Sequence, residues 1–128
     1  MALADIQTRI TAAETAVGRP VGSAELIAVS KVQPDARVDK VLQQGHRLFG
    51  ENRVQEAAVK WPDFRDRFAG VSVHLIGPLQ RNKARQAMSL FEAIHSLDRP
   101  KLATALARLA QELGQCPDVF VQVNTGQE

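Results

Sequence analysis

Lys31 is the residue of this sequence whose position best suits covalent chemistry. It closes the apolar run LIAVSK at 26–31, where strand alternation places Ile27, Val29 and Lys31 on one face that should be buried. Burial disfavours the ammonium form of a lysine, and the free amine that remains attacks an aldehyde to form an imine. A second interpretation is that the strand ends one residue earlier and that Lys31 extends into solvent without a chemical role.

Other polar side chains fall where further predicted strands end. In parallel α/β folds the carboxyl ends of the strands form the ligand-binding side. The candidates at these ends are Glu51, Asn52, His74, Ser96, Asp98, Asn124 and Thr125. Asn52 would equally serve as a helix N-cap, and His74 as a hydrogen-bonded core residue. Gln122 and Asn124 alternate with valines, which suggests a cavity on their face of the last strand.

Short β-rich runs alternate with amphipathic segments, a pattern typical of βα units around a parallel sheet. The predicted strands cover residues 26–31, 47–52, 71–77, 91–98 and 119–125. An opening helix is predicted over 3–17, with an apolar stripe of Leu3, Ile6, Ile10 and Val17. The predicted order is therefore one helix followed by β-α-β-α-β-α-β-α-β.

Several residues suit the ends of the predicted helices. Asp35 and Asn82 are candidate N-caps. Pro100 fits the first turn of the last helix, and Gly45 and Gly114 fit helix ends. Because no linker, low-complexity segment or repeat interrupts the pattern, residues 1–128 are predicted to form a single domain.

The composition limits the classes of partner. Lys and Arg number 16 against 14 Asp and Glu, and their scattered arrangement with a net charge of +2 argues against nucleic-acid binding. The single cysteine, Cys116, excludes an internal disulfide and fits a reducing compartment. No apolar run approaches the roughly 20 residues that cross a bilayer. Zinc, nucleotide and hydrolase motifs are also absent. We therefore expect a cytoplasmic protein that binds neither nucleic acid nor membrane.

Five blocks of sequence occur in the order found in one known family. They are AVSK at 28–31, FGEN at 49–52 continuing into VQE at 54–56, HLIG at 74–77 followed by LQ and NK, HSLD at 95–98, and VQVN at 121–124. Together the blocks resemble the pyridoxal phosphate homeostasis proteins. They extend from about residue 26 to the last residue, which is nearly all of the chain beyond the first helix.

The resemblance implies an α/β fold, a parallel (βα) barrel of the TIM type like the N-terminal domain of alanine racemase. This chain would supply about five βα units, and so an incomplete barrel, the N-terminal part of the cofactor-binding domain. The resemblance also implies that pyridoxal 5'-phosphate is held as a reversible Schiff base on Lys31. Asn52, His74, Ser96 and Asn124 then become candidates for contacting the cofactor ring or shaping its pocket.

The sequence also departs from the family pattern. Pro78, Arg53 and Arg81 stand where many members have His, Tyr and Ser. The larger departure is that a complete barrel has eight βα units, whereas five strands are predicted here. The family's later phosphate-binding segment and its arginine near the pyridine nitrogen are absent from this sequence. We therefore expect weaker cofactor retention, and an exposed sheet edge that meets a second chain, a separate C-terminal piece or an aggregate.

Three functions stay open at this point. The first, which the resemblance implies, is a non-catalytic protein that shelters pyridoxal phosphate and hands it to apo-enzymes that depend on it. The second is a pyridoxal-phosphate enzyme such as an amino-acid racemase, which needs a second proton-transfer group, typically tyrosine in the related racemase. The sequence contains no Tyr. The third is a fragment in which Lys31 is ordinary and the chain acts only through protein contacts.

Overall fold

The computed structural model describes residues 2–127, in which a parallel sheet is flanked by helices. Its five strands pair in sequence order: β1 (Ala28–Val29), β2 (Leu48–Glu51), β3 (Ser72–Leu75), β4 (Ala93–Leu97) and β5 (Asp118–Val121). The helices are α1 (Leu3–Ala16), α2 (Asp35–Gln43), α3 (Val54–Arg67), α4 (Ala84–Leu90) and α5 (Pro100–Leu113), and a 3₁₀ turn (Arg81–Lys83) precedes α4. The predicted α/β class and element order are confirmed, and the barrel is incomplete because the strands do not close into a ring.

The two faces of the sheet have different environments. Phe49 and Val73 are in register, and both are buried where α2 to α5 pack against the sheet. The opposite face carries Val29, Gly50 and His74, which are also in register with one another. Val29 is 49% exposed, so helices do not cover this side of β1. We call the side that carries Val29, Gly50 and His74 the open face.

The core lies between the sheet and α2 to α5, and aromatic packing holds its centre. The Trp61 ring is fully buried between Phe49, 4.9 Å away by ring centroids, and Phe64, 5.4 Å away. Tilted aromatic pairs at such distances stabilise a core by about 0.5–1.5 kcal/mol beyond the effect of area burial. This packing fixes α3 against β2, the two elements that frame the site described below.

Helix ends follow the predictions at three positions and depart from them at two. Pro100 is the first residue of α5, Gly114 ends that helix with φ 70°, and Gly45 follows α2 with φ 96°. A positive φ is the backbone conformation that glycine adopts without steric cost. Asp35 is the first helical residue of α2 rather than its N-cap. The prediction for Asn82 is wrong, because it lies inside the 3₁₀ turn and caps nothing.

Helix α1 is shorter than predicted. It ends at Ala16, and Val17 is 72% exposed and therefore outside the apolar stripe. The carboxylate of Glu14 joins α1 to the segment that follows it. Glu14 is buried and accepts hydrogen bonds from the Ala24 N–H at 2.8 Å and the Ser23 hydroxyl at 3.1 Å. The Ala24 N–H is the main reason that the pKa of Glu14 lies below its ordinary value. The described helices include none that is long and apolar enough to cross a membrane.

Candidate functional site

Lys31 lies two residues after the end of β1 and is exposed. The predicted burial of Lys31 with Val29 is wrong, and the buried residue of this segment is Ser30, at 3% exposure. The predicted alternation of faces along the strand is correct, but α2 to α5 pack against the face opposite to the one that carries Val29. The amine of Lys31 is therefore accessible from solvent at the carboxyl end of β1. The Ser30 N–H donates to Gly50 O at 2.9 Å, so Lys31 comes one residue after the last bond between β1 and β2.

Lys31 lies in a tight turn whose next residue has an unusual backbone conformation. Val32 has φ 57°, in the left-handed region, although its side chain is β-branched and 82% exposed. Such a conformation costs of order 1–3 kcal/mol and persists only where surrounding contacts impose it. The Val32 N–H donates to Glu56 Oε2 at 2.5 Å, and the Gln33 N–H donates to Ser30 O at 3.2 Å.

A buried ionic network lies beneath this turn. Glu51 is fully buried, and its Oε2 accepts hydrogen bonds from Ser30 Oγ at 2.5 Å, Trp61 Nε1 at 3.0 Å and Lys60 Nζ at 3.1 Å. Lys60 Nζ also donates to Ser30 O at 2.6 Å and to Glu56 Oε2 at 3.1 Å. A buried charge survives only when paired and hydrogen-bonded, and Lys60 meets both conditions.

Glu56 joins this network to the turn. Burial by itself opposes ionisation of the Glu56 carboxyl, but the Val32 N–H and Lys60 outweigh that effect, and the pKa of Glu56 lies below its ordinary value of 4.5. Glu56 is therefore a carboxylate at neutral pH. It reaches Lys60 across one helical turn of α3, at the i,i+4 spacing that favours Glu–Lys pairs.

Asn52 lies at the carboxyl end of β2, next to the end of β3. The Ile76 N–H donates to Glu51 O at 2.9 Å, and Gly77 passes so close to Asn52 that a Cβ on Gly77 would lie 2.3 Å from the Asn52 carbonyl oxygen. Glycine is thus required at position 77. Asn52 is not the N-cap of α3, since Arg53 holds that position. Asn52 instead lines a groove with Arg53, Gln80 and Lys83.

His74 lies in β3, on the open face, and has a partner that we did not predict. Its Nδ1 lies 3.0 Å from His95 Nε2, and the His95 ring in turn lies 4.7 Å from the Phe120 ring by centroids. The three rings form a row across β3, β4 and β5. Burial, and secondly the neighbouring His74, lower the pKa of His95 below its ordinary value of 6.5.

The remaining two candidates belong to β4 and to the segment after β5. Ser96 is buried at 2% exposure, and its Oγ has no hydrogen-bond partner among residues 2–127. It follows Ile94 at a strand irregularity between Ile94 and Leu97, a feature that sequence alternation does not reveal. Asn124 is exposed three residues beyond β5 and shares a separate groove with Asp98.

Two important groups, His95 and Lys60, were not among the candidate site residues. His95 was overlooked, although strand alternation places it on the same face as Ala93, which is in register with His74. Lys60 was overlooked because it reads as one more charge on an amphipathic helix. Its spacing from Glu56 and its position beside Trp61 were the available signals.

The donor set suits a carbonyl compound better than a metal. No group of three or more His, Cys, Asp or Glu residues that could hold a metal ion occurs in the described part of the chain. An accessible amine at Lys31 and a carboxamide at Asn52 stand at neighbouring strand ends instead. The amine can condense with an aldehyde, and the amide can hydrogen-bond a polar ring substituent. Pyridoxal phosphate, an aldehyde with polar ring substituents, fits this donor set.

Comparison with known proteins agrees with this geometry. The family model for the alanine racemase N-terminal domain matches residues 1–128. The chain is 37% identical over 129 residues to a pyridoxal phosphate homeostasis protein of Escherichia coli, and this match covers 98% of the chain and 54% of the relative. A relative of the same name from Pseudomonas aeruginosa is 39% identical over 127 residues, with 98% and 54% covered.

A solved structure supports the same relationship. PipY of Synechococcus elongatus, solved with pyridoxal phosphate bound, superposes with a TM-score of 0.77 at 42% identity, covering 94% of this chain and 55% of PipY. The structure of PipY without the cofactor also gives a TM-score of 0.77, at 43% identity. The chain spans about half the length of the curated relatives it matches. It belongs to the alanine racemase N-terminal domain family, in the branch similar to the pyridoxal phosphate homeostasis proteins.

Proposed function

We propose that this chain binds pyridoxal 5'-phosphate as a reversible Schiff base on Lys31 and acts in pyridoxal phosphate homeostasis without catalysing a reaction. The observation that carries the proposal is the accessible amine at the carboxyl end of β1, on a turn tied to a buried ionic network. The bound cofactor in PipY, a family member with the same fold, supports the choice of ligand.

The proposed bond forms by simple condensation. The lone pair of Lys31 Nζ attacks the aldehyde carbon, a C=N bond replaces the C=O bond, and the carbonyl oxygen leaves as water with two protons from the amine. Because water can reverse this step, a protein that binds in this way can also release the cofactor. No oxidant, reductant or further catalytic group is needed.

Other predicted site residues keep supporting roles in the proposal. Asn52, at the neighbouring strand end, is proposed to hydrogen-bond a polar group of the cofactor. His74 on the open face and Asn124 beyond β5 are proposed to border the pocket more distantly. Ser96 is proposed to shape the pocket from within the sheet, because its buried hydroxyl has no hydrogen-bond partner among residues 2–127.

The absence of catalysis rests on the lack of a second proton-transfer group. A racemase must deliver a proton to the ring face opposite the lysine, and the tyrosine of the related racemase has no counterpart in this sequence. The expected result is that the chain loaded with pyridoxal phosphate does not racemise L-alanine. Sustained turnover, measured by formation of D-alanine, would contradict the non-catalytic part of the proposal.

Partners and location follow from the same proposal. We propose apo-enzymes that depend on pyridoxal phosphate as recipients, with the cytoplasm as the compartment, in keeping with a single free cysteine. Self-association through the outer strands is also part of the proposal. Of the described strands, β1 and β5 are the outermost, and each has one edge without a neighbouring strand.

An absorbance titration tests Lys31 as the binding residue. Pyridoxal phosphate added to the chain should develop the visible absorbance of a protonated imine. Lys31→Ala should abolish that absorbance, because the reacting nitrogen is gone. The matched control is Lys40→Ala, which removes another exposed lysine, from α2. If both variants retain the absorbance of the unmodified chain, Lys31 is not the binding residue.

A further inference from the structure

We propose that Glu56 is a positioning residue: by holding the turn at Val32, and through Lys60 the carbonyl of Ser30, it fixes the backbone on both sides of Lys31 for binding of the aldehyde. This inference rests on the proposed function.

The first anchor is at Val32. A β-branched residue avoids φ 57° unless something compensates the strain, and an 82% exposed side chain gains little from packing. The hydrogen bond from the Val32 N–H to Glu56 Oε2, 2.5 Å long, is the contact that offsets the cost. A hydrogen bond to a charged group contributes about 1.5–3 kcal/mol, which matches the strain.

The second anchor is at Ser30. Its carbonyl oxygen accepts from Lys60 Nζ at 2.6 Å, its hydroxyl donates to Glu51 Oε2 at 2.5 Å, and its N–H donates to Gly50 O at 2.9 Å. Ser30 therefore has every backbone and side-chain polar group satisfied in one conformation. These hydrogen bonds hold the backbone in place immediately before Lys31.

One carboxylate connects the two anchors. Glu56 Oε2 accepts from the Val32 N–H and from Lys60 Nζ at 3.1 Å, and Lys60 reaches Ser30. Residues 30 and 32 are thus both fixed to α3 while the side chain of Lys31 stays exposed. A fixed attachment point lowers the conformational entropy that the amine loses when it binds an aldehyde. The network therefore raises the affinity for the aldehyde, because it fixes the position of the Lys31 amine.

The test compares charge-matched variants of α3. Glu56→Ala removes the acceptor for Val32, whereas Asp63→Ala removes a carboxylate from the same helix that pairs with Arg67 at the surface. Glu56→Gln keeps an oxygen that can accept from the Val32 N–H. We measure the dissociation constant for pyridoxal phosphate from the imine absorbance, and amide hydrogen exchange at Val32 without any ligand.

Glu56→Ala should raise the dissociation constant about tenfold, as loss of one hydrogen bond to a charged group predicts. Asp63→Ala should stay within about twofold of the unmodified chain, since exposed ion pairs contribute little. Glu56→Gln keeps an acceptor for the Val32 N–H but loses the charge, so its dissociation constant should fall between those of Asp63→Ala and Glu56→Ala. Amide exchange at Val32 should accelerate in Glu56→Ala alone. Val32→Pro, which removes the N–H donor and excludes positive φ without touching α3, should weaken binding as Glu56→Ala does. Val32→Ala is its control, because alanine keeps the donor.

The outcomes separate this inference from the proposed function. If the unmodified chain forms an imine on Lys31 and neither Glu56→Ala nor Val32→Pro weakens it beyond its control, the positioning role is refuted while the proposed function stands. If the unmodified chain forms no imine on Lys31, the proposed function fails, and the positioning role fails with it. If Glu56→Ala does not fold, the comparison of Val32→Pro with Val32→Ala decides.

Discussion

At the scale of single residues, two lysines lie in environments opposite to those that the sequence suggests. Lys31 is exposed, and Lys60 is buried at 8% exposure within a network of carboxylates and a backbone carbonyl. Lys31 follows a strand whose alternation of faces is predicted correctly, but the helices cover the face opposite to that of Val29. Which face of a strand is covered depends on where the helices pack, and alternation alone does not contain that information.

The His95 ring makes stability depend on pH. The folded pKa of His95 lies below its ordinary value of 6.5, so protonation favours the unfolded chain. Its contribution to stability is present above about pH 6.5 and is lost as the pH falls through the lower, folded pKa. His95→Asn should remove this dependence. We expect the difference in free energy of unfolding between pH 7.5 and 5 to shrink by under about 1 kcal/mol, since the ring is partly exposed.

Urea unfolding at the two pH values measures this effect. A variant with the same pH dependence as the unmodified chain would mean that His95 titrates alike in the folded and unfolded states. Glu56, whose pKa lies below its ordinary value of 4.5, does not confuse the result, because its carboxyl is present in both the variant and the unmodified chain and its contribution cancels.

At the scale of elements, the contact between β2 and α3 combines an aromatic core with a buried ion pair. Trp61 packs on Phe49 and donates its indole N–H to Glu51, while Lys60 pairs with the same carboxylate. The side chains of Lys60 and Glu51 are 6% and 0% exposed. Breaking such a pair leaves a charge buried without its partner, and the cost exceeds that of a surface pair.

Lys60→Met should lower the free energy of unfolding by about 3–5 kcal/mol, because Glu51 stays buried without its cationic partner. Lys40→Met, at an exposed position of α2, should change it by less than about 0.5 kcal/mol. Adding Glu51→Gln to Lys60→Met should recover part of the loss, since no buried anion then remains at position 51. Urea denaturation of all three variants measures these differences. Equal losses for Lys60→Met and Lys40→Met would contradict a structural role for the buried pair.

The elements were largely predictable, and the contacts between them were not. Hydrophobic periodicity predicted one helix followed by five strands that alternate with four helices, because period and turn residues are local properties. The strands are shorter than predicted: β1 has two residues where 26–31 was expected. Alternation did not predict the irregularity of β4 between Ile94 and Leu97, where Ser96 lies, and the partnership of His74 with His95 depends on strand register. Register and strand irregularities are set by tertiary packing, and local sequence patterns do not contain that information.

At the scale of the whole molecule, the parallel sheet formed by residues 2–127 has two outer strands, β1 and β5. Strand β5 is an outer strand, and Phe120 and Val121 are 52% and 73% exposed. Exposed outer strands with apolar side chains tend to pair with other chains. Strand β1 is also an outer strand, and Val29 on it is 49% exposed.

Self-association should therefore depend on the edge of β5. We expect the sedimentation coefficient of the unmodified chain to rise with concentration and Val121→Lys to weaken that rise by several-fold, since a charged edge discourages strand pairing. The control is Val59→Lys on α3, where Val59 is 86% exposed and lies away from the sheet edges. A monomer at all concentrations, or equal association of both variants, would contradict pairing through β5.

The central claim is that one amine, that of Lys31, forms the bond to the cofactor. Reduction with borohydride makes the bond permanent, and peptide mass mapping then identifies the modified residue. We predict that the pyridoxyl-phosphate mass appears on the peptide that contains Lys31 and disappears in Lys31→Ala, with Lys40→Ala labelled like the unmodified chain. A label spread evenly over the exposed lysines, or one that persists at the same level in Lys31→Ala, would contradict the account.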